Sequence, residues 1–331
     1  MRDFNLVSGN PAPMPPPLPV EDEIIARWGA GAAPLVSICC ATYNHVLYLQ
    51  DALQGFLAQE THFPFEIIIR DDASTDGTVD IAREFAAKYP RIIRTIFERE
   101  NQYSRGVRPN PAMVPHARGS YIALCEGDDY WIVTDKLEKQ VALLNKCANC
   151  SMCVAQTVVC KYENNNSVCE RILGTEKDYL DFEDIKRTYV HTSTYLIRTD
   201  FYKKALDQYA GKIGFSDTAL RYILADIGPF VQLKEIVSVY RVTGGGLWTS
   251  LERTKQVEWE IELAESFYAN FNPKYRTYFS GKLYQLYRLI LQSGVYSFNQ
   301  KGALKNYLRY LHFALKFWAK TIFLKLLSYI K

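Results

Sequence analysis

The stretch GSYIALCEGDDYW, residues 119–131, joins an apolar run to three acidic side chains. Its first half has the continuous apolar character of a strand that is buried on both faces of a sheet. Glu126, Asp128 and Asp129 follow at once, where such a strand should end. Crowded carboxylates repel one another unless a proton or a cation lies between them. The stretch therefore predicts a buried strand that delivers acidic groups to a polar site.

The chain before this stretch alternates between strand and helix patterns. Strand-like runs and amphipathic helical patterns occupy, in order, residues 34–42, 45–59, 65–71, 76–89, 91–98 and 119–126. Strands that alternate with helices are typical of a parallel sheet with helices on both faces. We therefore expect an α/β fold with a Rossmann-like, mostly parallel sheet and a helical appendage at the C-terminus.

Composition divides the chain into three regions. Residues 9–19 carry six prolines, which exclude a helix or a central strand and predict an extended leader that either docks or serves as a tether. The expected regions are a leader at 1–33, a catalytic domain at 34–250 with halves at 34–131 and 132–250, and a basic helical region at 251–331. Breaks in the helical region are expected near Pro273 and Gly294.

The eight cysteines give two competing interpretations. No charged and apolar signal segment precedes them, so we expect reduced thiols in a cytosolic protein. The spacing of Cys147, Cys150 and Cys153 fits a zinc or iron–sulfur site, but no second CxxC or histidine pair completes one. The alternative is that these cysteines are small buried apolar residues.

Polar groups follow three of the predicted strands, in the segments ATYN (41–44), DDASTDGT (71–78) and EGDDYW (126–131). In a parallel sheet the carboxyl ends of the strands meet at one edge, where ligands bind. Hard oxygen donors of this kind suit Mg²⁺ or Mn²⁺. A metal held by one or two carboxylates leaves positions for substrate phosphate oxygens. The sequence thus predicts a nucleoside diphosphate ligand at this edge.

The segments VSICCATYN, FEIIIRDDASTDGT and GSYIALCEGDDYW, in this order and at these separations, resemble the family 2 glycosyltransferases with a GT-A fold. The resemblance covers about residues 35–250. It implies an inverting transferase that moves a sugar from a nucleoside diphosphate donor, with a UDP-sugar expected, to a saccharide or lipid-linked saccharide acceptor in surface polysaccharide synthesis.

The resemblance also implies residue roles. Donor contacts would come from Thr42, Tyr43, Asn44, Asp71, Asp72, Glu126, Asp128 and Trp248. Thr42 and Asp72 would lie against the base, with Asp71 beside them. Asp128 would face the ribose and diphosphate, and Asp129, together with Asp128, would bind Mn²⁺ or Mg²⁺. Trp248 belongs to YRVTGGGLW (240–248), which resembles the family's closing loop and ends in the glycine-rich segment GGGLW (244–248). A simple glycine-rich turn is the alternative.

Asp217 is the residue that the resemblance assigns as general base. It would accept the proton of the acceptor hydroxyl as that hydroxyl attacks the anomeric carbon. Asp217 also stands beside Ser216 just before a helical pattern, so an ordinary helix N-cap is the competing interpretation.

The C-terminal region is uniformly basic. Residues 266–331 contain eleven Lys or Arg and no Asp or Glu. At helical spacing, one stripe is formed by Lys301, Lys305, Arg309, His312, Lys316 and Lys320. This pattern fits peripheral attachment to an anionic membrane at the cytoplasmic face, or a helix packed on the catalytic domain or on a second subunit. No nucleic-acid motif accompanies the charge.

Two other functional classes remain open. A nucleotidyltransferase uses a similar sheet and a carboxylate-bound metal, but it calls for a glycine-rich loop after the first strand, where this chain has ATYNHVLYLQ. A degenerate sugar-nucleotide-binding or membrane-scaffold protein would keep the fold without turnover.

Overall fold

The computed structural model describes residues 8–29, 31–163, 166–243, 251–292 and 308–316. The chain forms two compact units. The first comprises residues 1–208 and 215–244, and the second comprises residues 209–214 and 245–331.

The strands all belong to the first unit. They are β1 (Val36–Thr42), β2 (Phe65–Asp71), β3 (Ile93–Phe97), β4 (Tyr121–Leu124), β5 (Tyr130–Trp131), β6 (Met152–Glu163), β7 (Asn166–Leu173), β8 (Tyr179–Leu180), β9 (Leu196–Arg198) and β10 (Phe230–Val242). The α-helices are α1 (Glu21–Ile25), α2 (Leu49–Leu57), α3 (Thr78–Lys88), α4 (Pro109–Met113), α5 (Lys136–Lys146), α6 (Phe182–Ile185), α7 (Thr199–Tyr209), α8 (Asp217–Ile227), α9 (Arg253–Asn270) and α10 (Arg276–Gln292).

One sheet runs through the first unit in the order β3-β2-β1-β4-β9-β6-β10-β5, with β7 beside β6 and β8 beside β10. The pairs β1–β2, β1–β4, β2–β3 and β6–β10 are parallel, whereas β9 runs antiparallel to both β4 and β6. Every residue of β1 and β2 is buried, as expected for strands covered on both faces. The predicted α/β fold with a mostly parallel sheet is confirmed.

The register brings the three polar segments to one edge of the sheet. Thr42 at the end of β1 pairs with Asp71 at the end of β2. On the other side of β1, Cys39 pairs with Leu124, and the Gly127 amide donates to the Ala41 carbonyl at 2.9 Å. The carboxyl ends of β1, β2 and β4 are therefore adjacent, as predicted.

The cysteines differ from the expectation. Cys160 on β6 and Cys169 on β7 form a disulfide across a hairpin, and Cys147 and Cys150 form another in the turn after α5. The expectation that all eight cysteines are reduced is thus wrong for these four, because strand pairing and the turn bring their sulfurs together. The free, buried thiols in the described ranges belong to Cys39, Cys40, Cys125 and Cys153.

The second unit packs α9 against α10, separated by a 3-10 turn at Pro273–Tyr275 where a break was expected. Residues 308–316 are helical, and the Phe313 ring lies 5.3 Å from that of Tyr268 and 6.1 Å from that of Tyr287. Arg309 pairs with Glu265 at 2.6 Å. Gly294 lies outside the described residues. Among the helices that the structure describes, none has the length and apolar character needed to cross a membrane.

Candidate active site

The loops that follow β1 and β2 are joined by hydrogen bonds to side chains that were predicted to contact the donor. Asp71 accepts hydrogen bonds from the backbone amide of Ser74 at 2.9 Å and from its hydroxyl. The Ser74 hydroxyl in turn accepts from the amide of Asn44 at 2.8 Å, and the Asn44 side-chain oxygen accepts from the amide of Thr75 at 2.9 Å. Asp71 and Asn44 therefore shape this edge through contacts within the chain.

Asp72 holds a third loop. Its two carboxylate oxygens accept from the backbone amides of Gln102 and Tyr103, each at 2.9 Å, and Arg70 Nη2 lies 3.7 Å from one of them. The predicted contact between Asp72 and a nucleotide base would therefore involve a carboxylate whose two oxygens already accept hydrogen bonds from backbone amides. Tyr43, which follows Thr42 at the end of β1, has an exposed side chain.

Three buried polar atoms next to Gly127 have no hydrogen-bond partner within the described part of the chain. They are Thr42 Oγ1, His45 Nδ1 and Asp128 Oδ1. A Cβ atom on Gly127 would lie 2.9 Å from Thr42 Oγ1 and 3.1 Å from His45 Nδ1. His45 Nε2 lies 3.8 Å from Asp128 Oδ2. Buried polar groups almost always have a hydrogen-bond partner. We call these three atoms and Gly127 the cradle, which is suited to bind a polar ligand.

The carboxylates beside the cradle resist ionisation. Burial, followed by the charges of Asp128 and Asp217, raises the pKa of Glu126 to about 8. Burial and the charge of Asp128 also raise the pKa of Asp129 well above its usual value, against the favourable amide of Arg241. A divalent cation would reverse this preference by favouring the charged forms.

Asp128 and Asp129, the two predicted metal ligands, have different surroundings. Asp129 is 2% exposed, its Oδ1 accepts from the Arg241 amide at 2.9 Å, and its Oδ2 lies 3.6 Å from His191 Nδ1. Asp128 is half-buried, and its Oδ1 has no hydrogen-bond partner among the residues that the structure describes. The donor set fits a hard divalent cation, with Asp128 as the more available ligand. In the described ranges, no three His, Cys, Asp or Glu side chains are grouped to hold a metal.

Asp217 reaches this cluster from the other half of the unit. It is the first residue of α8, while Ser216 is the N-cap, whose hydroxyl accepts from the Ala219 amide at 3.1 Å. The capping role therefore falls to Ser216. The Tyr189 hydroxyl donates to Asp217 Oδ2 at 3.4 Å. The charge of Asp217 is among the causes that raise the pKa of Glu126, so the two carboxylates interact electrostatically.

His191 and Tyr240 were not predicted as members of the site. Their rings stack with centroids 4.0 Å apart, and burial lowers the pKa of His191 to about 3, so the imidazole is neutral. His191 Nδ1 lies 2.9 Å from the hydroxyl of Ser193, which begins a chain of buried hydroxyl groups through Ser238 to Thr157. No sequence signal marked His191.

Tyr240 and Arg241 stand directly before the glycine-rich segment, which is the one signal that pointed to them. Burial and the charges of four carboxylates raise the pKa of Tyr240 to about 12; the four are Asp129, Asp128, Glu126 and Asp217. These four carboxylates therefore interact electrostatically with the Tyr240 hydroxyl. Trp248, a predicted sugar contact, lies outside the described residues.

A family model and a curated relative each match more than half of this chain. The model of the Glycosyl transferase family 2 matches residues 37–206, just over half of the chain. The Mycobacterium tuberculosis protein Rv1520 is 35% identical over 227 residues, which are 68% of this chain and 64% of that protein. The chain thus spans less than two thirds of that relative's length.

Two shorter matches carry functional names. The putative glycosyltransferase EpsE of Bacillus subtilis is 38% identical over 35% of this chain and 40% of its own. The Escherichia coli UDP-Glc:alpha-D-GlcNAc-diphosphoundecaprenol beta-1,3-glucosyltransferase WfaP is 38% identical over 32% of this chain and 40% of its own.

Solved structures share the fold at low identity. Staphylococcus aureus TarS 1–349 in complex with UDP-GlcNAc superposes with a TM-score of 0.56 at 16% identity, covering 85% of this chain and 80% of its own. The Pyrobaculum calidifontis mannosyltransferase PcManGT in complex with GDP-Man and Mn²⁺ also gives 0.56 at 16% identity, covering 93% of this chain and 84% of its own. The predicted GT-A fold is confirmed.

Proposed function

Because the chain belongs to glycosyl transferase family 2, we propose that it transfers a sugar from a nucleoside diphosphate donor, expected to be a UDP-sugar, to a saccharide or lipid-linked saccharide in surface polysaccharide synthesis. One observation carries the proposal. Within the described residues, three buried atoms around Gly127 have no hydrogen-bond partner: Thr42 Oγ1, His45 Nδ1 and Asp128 Oδ1. They lie at the edge where α/β sheets bind ligands. These atoms offer a donor and acceptors to the ribose and diphosphate.

Asp128, with Asp129 as the second expected ligand, would hold Mn²⁺ or Mg²⁺ beside the diphosphate. A bound divalent cation there stabilises the negative charge that the leaving nucleoside diphosphate develops. Asp129 keeps its place through the Arg241 amide, so it also orients the loop that carries Asp128. The charges of Asp128 and Asp217 both help raise the pKa of Glu126, and a bound cation would favour the ionised form of this carboxyl.

Asp217 is the group we assign as general base. The acceptor hydroxyl oxygen forms a bond to the anomeric carbon, the bond from that carbon to the diphosphate oxygen breaks, and the hydroxyl proton passes to Asp217. Attack from the face opposite the leaving group inverts the anomeric configuration. The Tyr189 hydroxyl at 3.4 Å and the amide of Thr218 at 2.6 Å orient the Asp217 carboxylate. Tyr43, Asn44, Asp71 and Asp72 remain predicted donor contacts, and Trp248 a predicted sugar contact.

The acceptor and its location are part of the proposal. The E. coli relative is named for an acceptor linked to diphosphoundecaprenol, which supports a lipid-linked acceptor. In the described part of the basic stripe, His312 and Lys316 are exposed, and Leu315 beside them is 72% exposed. Basic and apolar groups together favour an anionic membrane surface, and we place the chain at the cytoplasmic face. Arg309 is engaged by Glu265 and contributes less.

The test is release of nucleoside diphosphate by the purified chain from a panel of UDP-, GDP- and dTDP-sugars, with Mn²⁺ or EDTA. We expect release from one donor, dependent on metal and lost in Asp128→Ala. A nucleotidyltransferase would instead consume a nucleoside triphosphate and release pyrophosphate. If no donor binds by calorimetry in the presence of Mn²⁺, the proposal is wrong.

The membrane part has its own measurement. Flotation with vesicles that contain or lack anionic phospholipid should show binding only to the anionic vesicles, and 0.5 M salt should weaken it by screening. Equal flotation with both vesicle types would show that the basic residues do not direct the chain to anionic lipid. The proposed reaction would be unaffected.

A further inference from the structure

Residues 11–19 lie extended across the first unit, and three side chains of that unit donate hydrogen bonds to their carbonyl groups. The three bonds run from Tyr130 Oη to the Pro13 carbonyl at 2.6 Å, from Gln54 Nε2 to the Pro16 carbonyl at 2.6 Å, and from Tyr89 Oη to the Pro19 carbonyl at 2.7 Å. The acceptors are spaced by three residues. The donors come from β5, α2 and the residue after α3.

This spacing has a physical reason. Six of the residues in 11–19 are proline, which fixes φ, and a residue before proline is restricted to the extended region. These restrictions favour the polyproline II conformation, which has three residues per turn and no internal hydrogen bonds. Carbonyls three residues apart then point to the same side. The three donors therefore contact one face of a polyproline II helix.

Contacts at both ends hold the segment in register. The Gly9 amide donates to the Cys169 carbonyl and the Cys169 amide to the Asn10 carbonyl, each at 2.8 Å, and the Ala12 amide donates to Ser167 Oγ at 2.9 Å. Beyond the other end, Arg91 donates to Glu21 at 2.8 Å. Within the segment, Pro15 is buried and Leu18 packs against the main core.

We propose that Tyr130, Gln54 and Tyr89 form a polyproline II-binding site, that its ligand is residues 11–19 of the same chain, and that the bound segment positions the loop carrying Asp128 and Asp129. The binding half of this proposal does not depend on the proposed reaction.

The route from the segment to the loop is short. The guanidinium carbon of Arg241 lies over the Tyr130 ring, 4.2 Å from the ring centroid. Arg241 Nη1 in turn donates a hydrogen bond to the Asp128 carbonyl at 3.0 Å. Gln54 lies on α2, the helix that also carries Asp51, the ion-pair partner of Arg241. The segment thus contacts two of the elements that hold Arg241, and Arg241 holds the loop.

The test uses the full chain with a spin label on Met14→Cys, because Met14 is 80% exposed and the free thiols in the described ranges are buried. The donors are removed by Tyr130→Phe, Gln54→Met and Tyr89→Phe, with thermal unfolding to confirm that each variant is folded. Each lost bond should raise the ratio of undocked to docked segment about fivefold, which corresponds to about 1 kcal/mol, and the triple variant about a hundredfold. Label mobility should increase accordingly.

Tyr179→Phe is the matched control, because Tyr179 is an exposed tyrosine on β8. A triple variant with the same label mobility as the parent would overturn the binding site. For the positioning half, Tyr89→Phe combined with Gln54→Met leaves Tyr130 in place and should speed amide exchange across residues 126–131 about tenfold. If the spin label shows that the segment is undocked in this double variant but amide exchange across residues 126–131 is unchanged, the segment does not position the loop. The binding site would stand in that case.

Discussion

The backbone amide of Arg241 donates a 2.9 Å hydrogen bond to the buried carboxylate of Asp129, 112 residues earlier in the chain. The same residue donates from Nη1 to the Asp128 carbonyl at 3.0 Å and pairs with Asp51 through Nη2. Arg241 therefore fixes the acidic loop through both its backbone and its side chain, at the end of the strand that precedes the glycine-rich segment.

Arg241→Lys should weaken this arrangement without removing the backbone bond to Asp129. Lysine cannot reproduce the fork that joins Asp51 to the Asp128 carbonyl, because it presents a single ammonium group. We expect a loss of roughly 2–4 kcal/mol in the free energy of unfolding and a tenfold weaker donor affinity. Urea unfolding and calorimetric titration measure the two quantities. Arg171→Lys on β7 is the control, since Arg171 is exposed, and an equal loss there would contradict the prediction.

Gly127→Ala should fill the cradle. The new methyl group would lie 2.9 Å from Thr42 Oγ1 and 3.1 Å from His45 Nδ1, where the proposed ligand binds. We expect at least a tenfold loss of donor affinity in titrations with UDP-sugar and Mn²⁺. Gly29→Ala, whose added methyl meets no atom within 4 Å, should bind donor as the parent does. Unchanged affinity in Gly127→Ala would place the ligand elsewhere.

Asp217→Asn should separate catalysis from binding. The amide cannot accept the hydroxyl proton, and general-base catalysis typically contributes about 10²–10⁴-fold. We expect kcat to fall by that factor while donor affinity is retained, as measured by product formation and calorimetry. Asp226→Asn, on the same helix, is the control. A fully active Asp217→Asn protein would show that another group accepts the hydroxyl proton.

Glu126 should make the metal-free protein less stable as pH rises. Its folded pKa of about 8 exceeds the unfolded value near 4.5, so the folded state binds the extra proton between these limits. Stability is present below pH 4.5 and is lost as pH rises toward 8, by at most about 5 kcal/mol. Glu126→Gln should lack this component in unfolding curves recorded from pH 5 to 9 with EDTA. Parallel curves for the two proteins would contradict the prediction.

Lys136 should show the opposite dependence on pH. It is fully buried, its Nζ lies 3.8 Å from the Trp131 ring centroid, and burial lowers its pKa to about 7. The unfolded chain then binds more protons between pH 7 and 10.5, so stability rises with pH in that window. Lys136→Met should be more stable than the parent by roughly 2 kcal/mol at pH 7, with the difference shrinking toward pH 10. A less stable variant at pH 7 would mean that the contact with Trp131 outweighs desolvation.

The central strands and their polar ends were predictable because their signal is local. The runs at 67–69 and 121–125 are apolar without a break, as is typical of strands that are buried on both faces. The order of the three motifs then identified the fold. Residues 160–175 gave no such signal, because β7 lies at the side of the sheet and its pairing with β6 supplies its structure.

The sequence predicted most of the acidic residues of the site, but it did not predict the groups to which these residues bind. Glu126, Asp128 and Thr42 converge as expected, whereas the Asp71 and Asp72 carboxylates bind backbone amides of their own loops. His191 was missed because its neighbours Asp129 and Tyr240 are distant in sequence. The pairing of Cys160 with Cys169 was missed for a similar reason, since the composition indicated reduced thiols and only strand register brings the two sulfurs together.

The sequence by itself determined the α/β alternation, the edge of the sheet where ligands bind, and the acidic character of that edge, because hydrophobic periodicity and strand ends are local properties. The tertiary structure decided which groups meet. It brought Asp217 near Glu126, joined Arg241 to Asp129, and seated the proline-rich segment on Tyr130. Those contacts depend on long-range strand pairing and burial, which no spacing of residues along the chain encodes.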